Sequence, residues 1–197
     1  MHQGLYQYIL VPLKSSEYHV EIANSIANIT LTQTYLNPTD KFLEVEYSFP
    51  INPDACVYRF VAEFAKTRIE GVVKEKEQAK QEYEQAVKEG RKAAYGELNA
   101  DSKDILNLKV GNVPPKETVR IEIVYLQELT LACNTFYQLH MVGTISPRYM
   151  NYIPAEQIKA GLRSEAARAQ RDFYWNFTIS LRTSRKVVFF KSNSHLI

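Results

Sequence analysis

Residues 42–49, Phe-Leu-Glu-Val-Glu-Tyr-Ser-Phe, put Leu43, Val45, Tyr47 and Phe49 on one side of an extended chain and Glu44, Glu46 and Ser48 on the other. Successive side chains of a strand point to opposite faces, so this period of two predicts a strand with one face in a core. The alternation returns at 119–123 (Val-Arg-Ile-Glu-Ile) and at 175–181 (Trp-Asn-Phe-Thr-Ile-Ser-Leu). Less regular apolar runs around 18–22, 28–36, 56–64, 105–110, 136–142 and 186–190 read as further strands, about nine in all. Turn chemistry separates several of them: Asn37-Pro38-Thr39-Asp40, Pro50-Ile51-Asn52-Pro53-Asp54 and Gly111-Asn112-Val113-Pro114-Pro115. Many short strands, polar on one face and punctuated this way, predict a mainly β chain folded as an antiparallel β-sandwich rather than a parallel βαβ sheet.

Two segments depart from that period. In Glu-Gly-Val-Val-Lys-Glu-Lys-Glu-Gln-Ala-Lys-Gln-Glu-Tyr-Glu-Gln-Ala-Val-Lys-Glu-Gly-Arg-Lys, residues 70–92, the positions Val72, Ala79, Tyr83, Ala86 and Gly90 recur at three- and four-residue steps. That spacing is one face of a helix over about 72–89, with Tyr83 as its single large anchor and Gly90 placed for a left-handed C-terminal stop. Small residues on the stripe let the helix axis approach a sheet closely. Lys74, Glu77, Gln81, Glu84 and Lys88 fall on the far side, a solvated face that is the candidate surface for a partner. Glu84 and Lys88 stand in the favourable i, i+4 order. The second segment, about 155–171, follows Pro154 and carries Ile158, Leu162 and Ala166 at four-residue spacing, which predicts a second helix weakened by Gly161. It lies in a polar insertion, 151–172.

Composition removes several functional classes. A chain of 197 residues buries one substantial core. Its 24 basic residues are nearly balanced by 22 acidic ones, so no global field draws in nucleic acid. The basic residues of the 74–92 run are opposed within it by Glu75, Glu77, Glu82, Glu84 and Glu89, which leaves no unopposed cation cluster for phosphates. The glycines stand singly, so neither a phosphate-binding loop nor a dinucleotide fingerprint exists. Two distant cysteines, Cys56 and Cys133, and scattered histidines lack zinc-ligand spacing. No nucleophile turn supports a hydrolytic triad. His19 and His140 sit in strand patterns as structural or surface residues, and Glu44 with Glu46 reads as a solvated strand face rather than a glycosidase pair. No apolar run approaches the ~20 residues of a spanning helix. No catalytic residue, cofactor or metal is expected. The absence of a secretory leader predicts a cytoplasmic protein without disulfides. The sequons at Asn28 and Asn176 then count as chance matches inside strands.

The order of several blocks resembles a known family. Phe-Leu-Glu-Val-Glu-Tyr-Ser-Phe-Pro (42–50), Ala-Cys-Val-Tyr-Arg-Phe (55–60), the helical run from Arg68 to Gly90, Val-Gly-Asn-Val-Pro-Pro-Lys-Glu (110–117), Tyr-Leu-Gln-Glu-Leu (125–129) and Pro-Arg-Tyr (147–149) are similar to the VIT domain. This is the vault protein inter-alpha-trypsin inhibitor domain, and the blocks look most like its form in von Willebrand factor A domain-containing protein 5-type proteins. The resemblance implies a β-sandwich with one helix packed on it, no enzymatic activity, and contacts with other proteins. Its recurring positions fall here on Pro50, Gly71, Glu75, Ala79, Tyr83, Ala86, Gly90, Gly111, Asn112, Pro114, Pro147, Arg148 and Tyr149. Most are turn formers or helix-packing residues; Glu75 and Arg148 are expected to be ion-paired. The expected organisation is a VIT domain over 1–131, then 132–197 supplying further strands around the insertion. Ala94-Tyr95-Gly96-Glu97-Leu98 departs from the family's apolar pair after the helix. The D-x-S-x-S motif of a von Willebrand A domain is missing. The functional expectation is a protein–protein interaction or scaffold module, either the N-terminal part of a larger protein or a subunit of an assembly. The alternative is a carbohydrate- or small-ligand-binding sandwich, which would show a row of exposed aromatics on one sheet face.

Overall fold

The computed structural model describes residues 11–71, 76–98, 105–141, 174–184 and 186–194. Eleven strands and one helix follow in chain order: β1 (Leu13–Ala23), β2 (Ile26–Leu36), β3 (Leu43–Pro50), β4 (Cys56–Phe64), β5 (Thr67–Glu70), α1 (Lys76–Lys88), β6 (Ala93–Leu98), β7 (Ile105–Val113), β8 (Thr118–Glu128), β9 (Thr130–Ala132), β10 (Phe136–Gln138) and β11 (Tyr174–Arg182). They form a six-stranded sheet in the order β11-β1-β2-β8-β4-β5, a three-stranded sheet in the order β3-β7-β6, and a small β9-β10 hairpin.

Alternation decides which side chains meet. On β1 the even residues Ser16, Tyr18, Val20 and Ile22 turn inward, and on β2 the odd residues Ala27, Ile29, Leu31, Gln33 and Tyr35 do so. On β8 the inward set is Val119, Ile121, Ile123 and Tyr125. These pack against Phe49, Leu106, Leu108, Val110 and Val113 of the smaller sheet in one continuous core. The rings of Phe49 and Tyr125 meet across it at 6.1 Å between centroids. The result is a mainly β sandwich of two layers, as its alternation predicts.

The fully buried polar side chains Ser16, Gln33 and Asn37 all have partners. Gln33 donates from Nε2 to Ser16 Oγ at 3.3 Å and accepts from the Tyr35 hydroxyl at 2.8 Å. Asn37 is fully buried where β2 leaves the sheet. Its Nδ2 donates to the carbonyls of Lys41, Val113 and Pro114, and its Oδ1 accepts from the Thr39 amide and hydroxyl. One side chain thereby ties the turn after β2 to the turn after β7, and so registers the two sheets.

Several expectations change. β1 and β11 pair in parallel, in an otherwise antiparallel sheet. Residues 186–190 read as a strand but pair with no strand among the described residues. Of the 136–142 run, the described residues form a strand over Phe136–Gln138. β5, β6 and β9 are short and carry weak alternation, which hid them in the sequence. The expected helix is described from Lys76, its 72–75 portion lying outside the described residues, as does the whole second helix at 155–171.

Removing the Asn37 amide takes a donor from the carbonyls of Lys41, Val113 and Pro114 and unties the two turns. Asn37→Ala is expected to destabilise the fold by about 2–4 kcal/mol, read as a lower midpoint in urea unfolding at unchanged slope.

Candidate functional site

Up to the bulge that follows Val110, β7 turns Leu106, Leu108 and Val110 to the core and its odd-numbered residues outward, and α1 lies on that outer face. Tyr83 and Ala86 of the helix pack with Ala93 and Tyr95 of β6, with Ala79 and Val87 alongside. The rings of Tyr83 and Tyr95 are 6.0 Å apart. Ala79, Tyr83 and Ala86 of the expected stripe lie here with Val87 as an added member, Gly90 ends the helix instead of packing, and Val72 lies outside the described residues.

Three features hold the helix against the sheet. Gly111 on β7 lies beneath it: a Cβ there would collide with Val87 Cγ2 and stand 3.2 Å from the Tyr83 hydroxyl. The hydroxyl of Tyr83 donates to Glu44 Oε1 of β3 at 2.7 Å. Burial first, and then that carboxylate, push the Tyr83 ionisation well above the ordinary tyrosine range. Tyr95, buried and donating to Glu97 at 3.0 Å, is pushed up to about 12 for the same two reasons.

The third feature is the helix C-terminus. Gly90 adopts φ of 72°, its N–H donates to the Val87 carbonyl at 3.0 Å, and the Arg91 N–H donates to the Ala86 carbonyl at 2.9 Å. This is a Schellman stop with glycine at its left-handed position. Asn112 completes it, donating from Nδ2 to the carbonyls of Val87 at 3.1 Å and Arg91 at 2.8 Å. Its side chain is aimed there by a bulge: β3 and β7 shift register between Leu43 and Val45, and Asn112 takes φ of 56°. Just beyond, the Lys92 ammonium sits 4.7 Å from the centre of the Phe64 ring and 3.6 Å from Glu117 Oε2, linking the helix exit to the large sheet.

On the opposite side of α1, Glu77, Gln81, Glu84 and Lys88 form one exposed stripe. Gln78 donates to Glu82 and Gln85 to Glu89 beside it. Among the described residues no hydrogen bond or ion pair engages Gln81, Glu84 or Lys88, and the expected Glu84–Lys88 pair is not formed. Lys74, the fifth candidate, lies outside the described residues, as do Glu75, Pro147, Arg148 and Tyr149.

Other positions singled out in the sequence lie outside the helix–sheet contact or at its edge. Gly71 is not part of the helix contact; its N–H continues the β4–β5 pairing by donating to the Phe60 carbonyl at 2.8 Å. Pro114 shapes the β7–β8 turn and offers its carbonyl to Asn37. Glu44 and Glu46 are exposed, as the alternation predicts; Glu44 in addition accepts from Tyr83, and Glu46 stands 3.9 Å from Lys109. The partner of Tyr83 and the capping role of Asn112 escape a sequence reading because both contacts span long separations.

The large sheet's outer face is polar. Arg59 bridges Glu70 at 3.0 Å and Glu122 at 3.1 Å, and Arg120 meets Glu63 at 3.2 Å. Tyr58, whose hydroxyl donates to Asn28, and Tyr174 are exposed aromatics of this face, but they stand on β4 and β11 with three strands between them. They do not make a row. Cys56 and Cys133 are free and exposed. Among the described residues no group of three or more His, Cys, Asp or Glu side chains could hold a metal ion, and no helix is long and apolar enough to cross a membrane.

The model of the family described as the Vault protein inter-alpha-trypsin domain matches residues 13–125, more than half of the chain. The chain is 36% identical over 138 residues to the protein mono-ADP-ribosyltransferase PARP4 of Homo sapiens, covering 70% of this chain and 8% of that protein. It is 31% identical over 139 residues to von Willebrand factor A domain-containing protein 5A of Homo sapiens, covering 71% of this chain and 18% of that protein. A von Willebrand factor A domain-containing protein of Dictyostelium discoideum is 34% identical over 128 residues, covering 65% and 14% respectively. The chain thus spans less than a fifth of the length of these relatives.

Gly111→Ala forces Val87 and the Tyr83 hydroxyl aside, and a cost of about 1–3 kcal/mol in chemical denaturation is expected, as for overpacking. Tyr83→Ala should cost about 3–5 kcal/mol, and Tyr83→Phe, which keeps the ring, about 1–2 kcal/mol at neutral pH. The pH dependence separates the hydroxyl from the ring. With its folded ionisation raised above the ordinary 10.0, neutral Tyr83 contributes fully below that pH. Above it the unfolded chain ionises first, and the contribution is lost as pH climbs. The stability gap between wild type and Tyr83→Phe should therefore narrow above pH 10, in urea melts taken at stepped alkaline pH.

Proposed function

Because the chain belongs to the Vault protein inter-alpha-trypsin domain family, we propose that it is a non-enzymatic protein–protein interaction and scaffold module. It acts within a larger multidomain protein or as a subunit of an assembly, in the cytoplasm. The relatives it matches are much longer proteins that carry other named parts, a von Willebrand factor A domain or a mono-ADP-ribosyltransferase. Such a layout supports a module whose task is contact rather than chemistry.

The observation that carries this reading is the division of α1 into two faces. One face is fixed on the sheet by Gly111, the Tyr83–Glu44 hydrogen bond and the Asn112 cap. The other presents Glu77, Gln81, Glu84 and Lys88 to solvent, and Gln81, Glu84 and Lys88 have no intramolecular engagement among the described residues. A helix fixed in place that presents Gln81, Glu84 and Lys88 loses little conformational entropy when a partner docks, which is the advantage of a preorganised surface. Mixed charge on that stripe favours specificity and orientation over raw affinity.

A photo-reactive residue placed at Gln81 is expected to cross-link another protein in native extract, while the same group at Glu21, on the outer face of the large sheet, does not give that product. Absence of the product, or equal labelling from Glu21, would sink the proposal. Gln81→Lys, Glu84→Lys and Lys88→Glu should each leave stability within about 0.5 kcal/mol in thermal or urea melts, and reduce the cross-linked yield when combined.

A further inference from the structure

The large sheet ends on β11, and among the described residues no strand pairs with its outer edge. Open edges invite strand addition, and the other edges of the two sheets are blunted against it. β5 is four residues long and carries Arg68 and Glu70. β3 has a register shift between Leu43 and Val45, carries Glu44 and Glu46, and ends on Pro50. β6 carries Gly96 and Glu97 and lies against α1 through Ala93 and Tyr95. β11 has none of these devices. Its nine residues run in unbroken register against β1, without proline or glycine, and its single charge, Arg182, is the terminal residue.

The sequence of β11 is also complementary to itself. Laid antiparallel to a second copy about Thr178, Phe177 faces Ile179, Trp175 faces Leu181, Asn176 faces Ser180 and Tyr174 faces Arg182. Directly opposed residues share a sheet face, so apolar side chains meet on the inner face and polar ones on the outer face. The two Arg182 side chains end at opposite ends of the ribbon, and each lies beside a tyrosine ring. On the inner face Phe177, Ile179 and Leu181 are only partly covered and form a groove with Val187 and Phe190. Pairing would set two such grooves side by side.

We propose that β11 pairs antiparallel with β11 of a second copy of this chain, across a two-fold axis at Thr178, so that two six-stranded sheets become one continuous sheet. An isologous interface of this kind needs a self-complementary surface, and β11 supplies one.

Sedimentation equilibrium of the 197-residue chain over a micromolar range tests it. The expected result is a mass rising with concentration from 22.7 kDa to twice that value. Thr178 is exposed on the outer face, so Thr178→Lys and Thr178→Glu should leave circular dichroism unchanged. Each sets like charges against each other on the axis and should raise the dimer dissociation constant about tenfold or more. An equimolar mixture of the two variants should recover wild-type association. In a Cys56→Ser, Cys133→Ser background, Thr178→Cys should form an intermolecular disulfide on oxidation, whereas Asn176→Cys, whose opposite residue is Ser180, should not. A chain monomeric throughout the range, a dimer indifferent to Thr178→Lys, or variants that fail to rescue one another would overturn the proposal.

Discussion

The three-stranded sheet has one face on the core and the other under α1, and what β7 carries makes both contacts possible. Leu106, Leu108 and Val110 point into the core shared with the large sheet. Gly111 points the other way and lets α1 approach so closely that any side chain there would strike Val87. The absence of one side chain therefore sets the helix–sheet distance, and that distance places Tyr83 within reach of Glu44. Asn112, the next residue, spends its amide on the helix terminus. Gly111 and Asn112 thus join three layers through adjacent positions, and the bulge at this point allows one to face the helix while the other reaches its end.

Much of this was legible in the sequence because it depends on period. The alternation at 42–49, 119–123 and 175–181 reports one buried face, and those segments became β3, β8 and β11. The stripe of Ala79, Tyr83 and Ala86 reports the helix, and Gly90 its stop. What remained hidden depends on pairings distant in sequence. Nothing local marks Asn37 as a fully buried tie between two turns, since Asn-Pro-Thr-Asp reads equally well as an exposed turn. Glu44 reads as solvated and is exposed, but only the docking of α1 makes it a hydrogen-bond acceptor for Tyr83. β6 escaped because Ala93 to Leu98 contains a glycine and a glutamate and little alternation. The parallel pairing of β11 with β1 is likewise a property of topology. The exposed stripe on α1 was legible as a face, although periodicity does not say who meets it.

The fold allots its surfaces unequally. The outer face of the large sheet is closed by internal ion pairs, with Arg59 held between Glu70 and Glu122 and Arg120 facing Glu63. Exposed pairs of this kind add little stability, but they commit their charges to each other. The α1 stripe keeps Gln81, Glu84 and Lys88 uncommitted. A module that contacts other proteins within a long chain benefits from this contrast, because surfaces already satisfied internally compete poorly for partners.

The parallel β1–β11 ladder has a consequence in time. Tyr18 pairs with Phe177, so the outermost strand of the large sheet closes on a segment about 160 residues earlier in the chain. At a synthesis rate of about 5–20 residues per second, β1 waits about 8–30 seconds for its partner, exposing an unpaired edge while β2 and β8 assemble beside it. Contacts this remote in sequence also make for slow folding. A chaperone that shelters nascent sheet edges would therefore find its longest-lived target on β1.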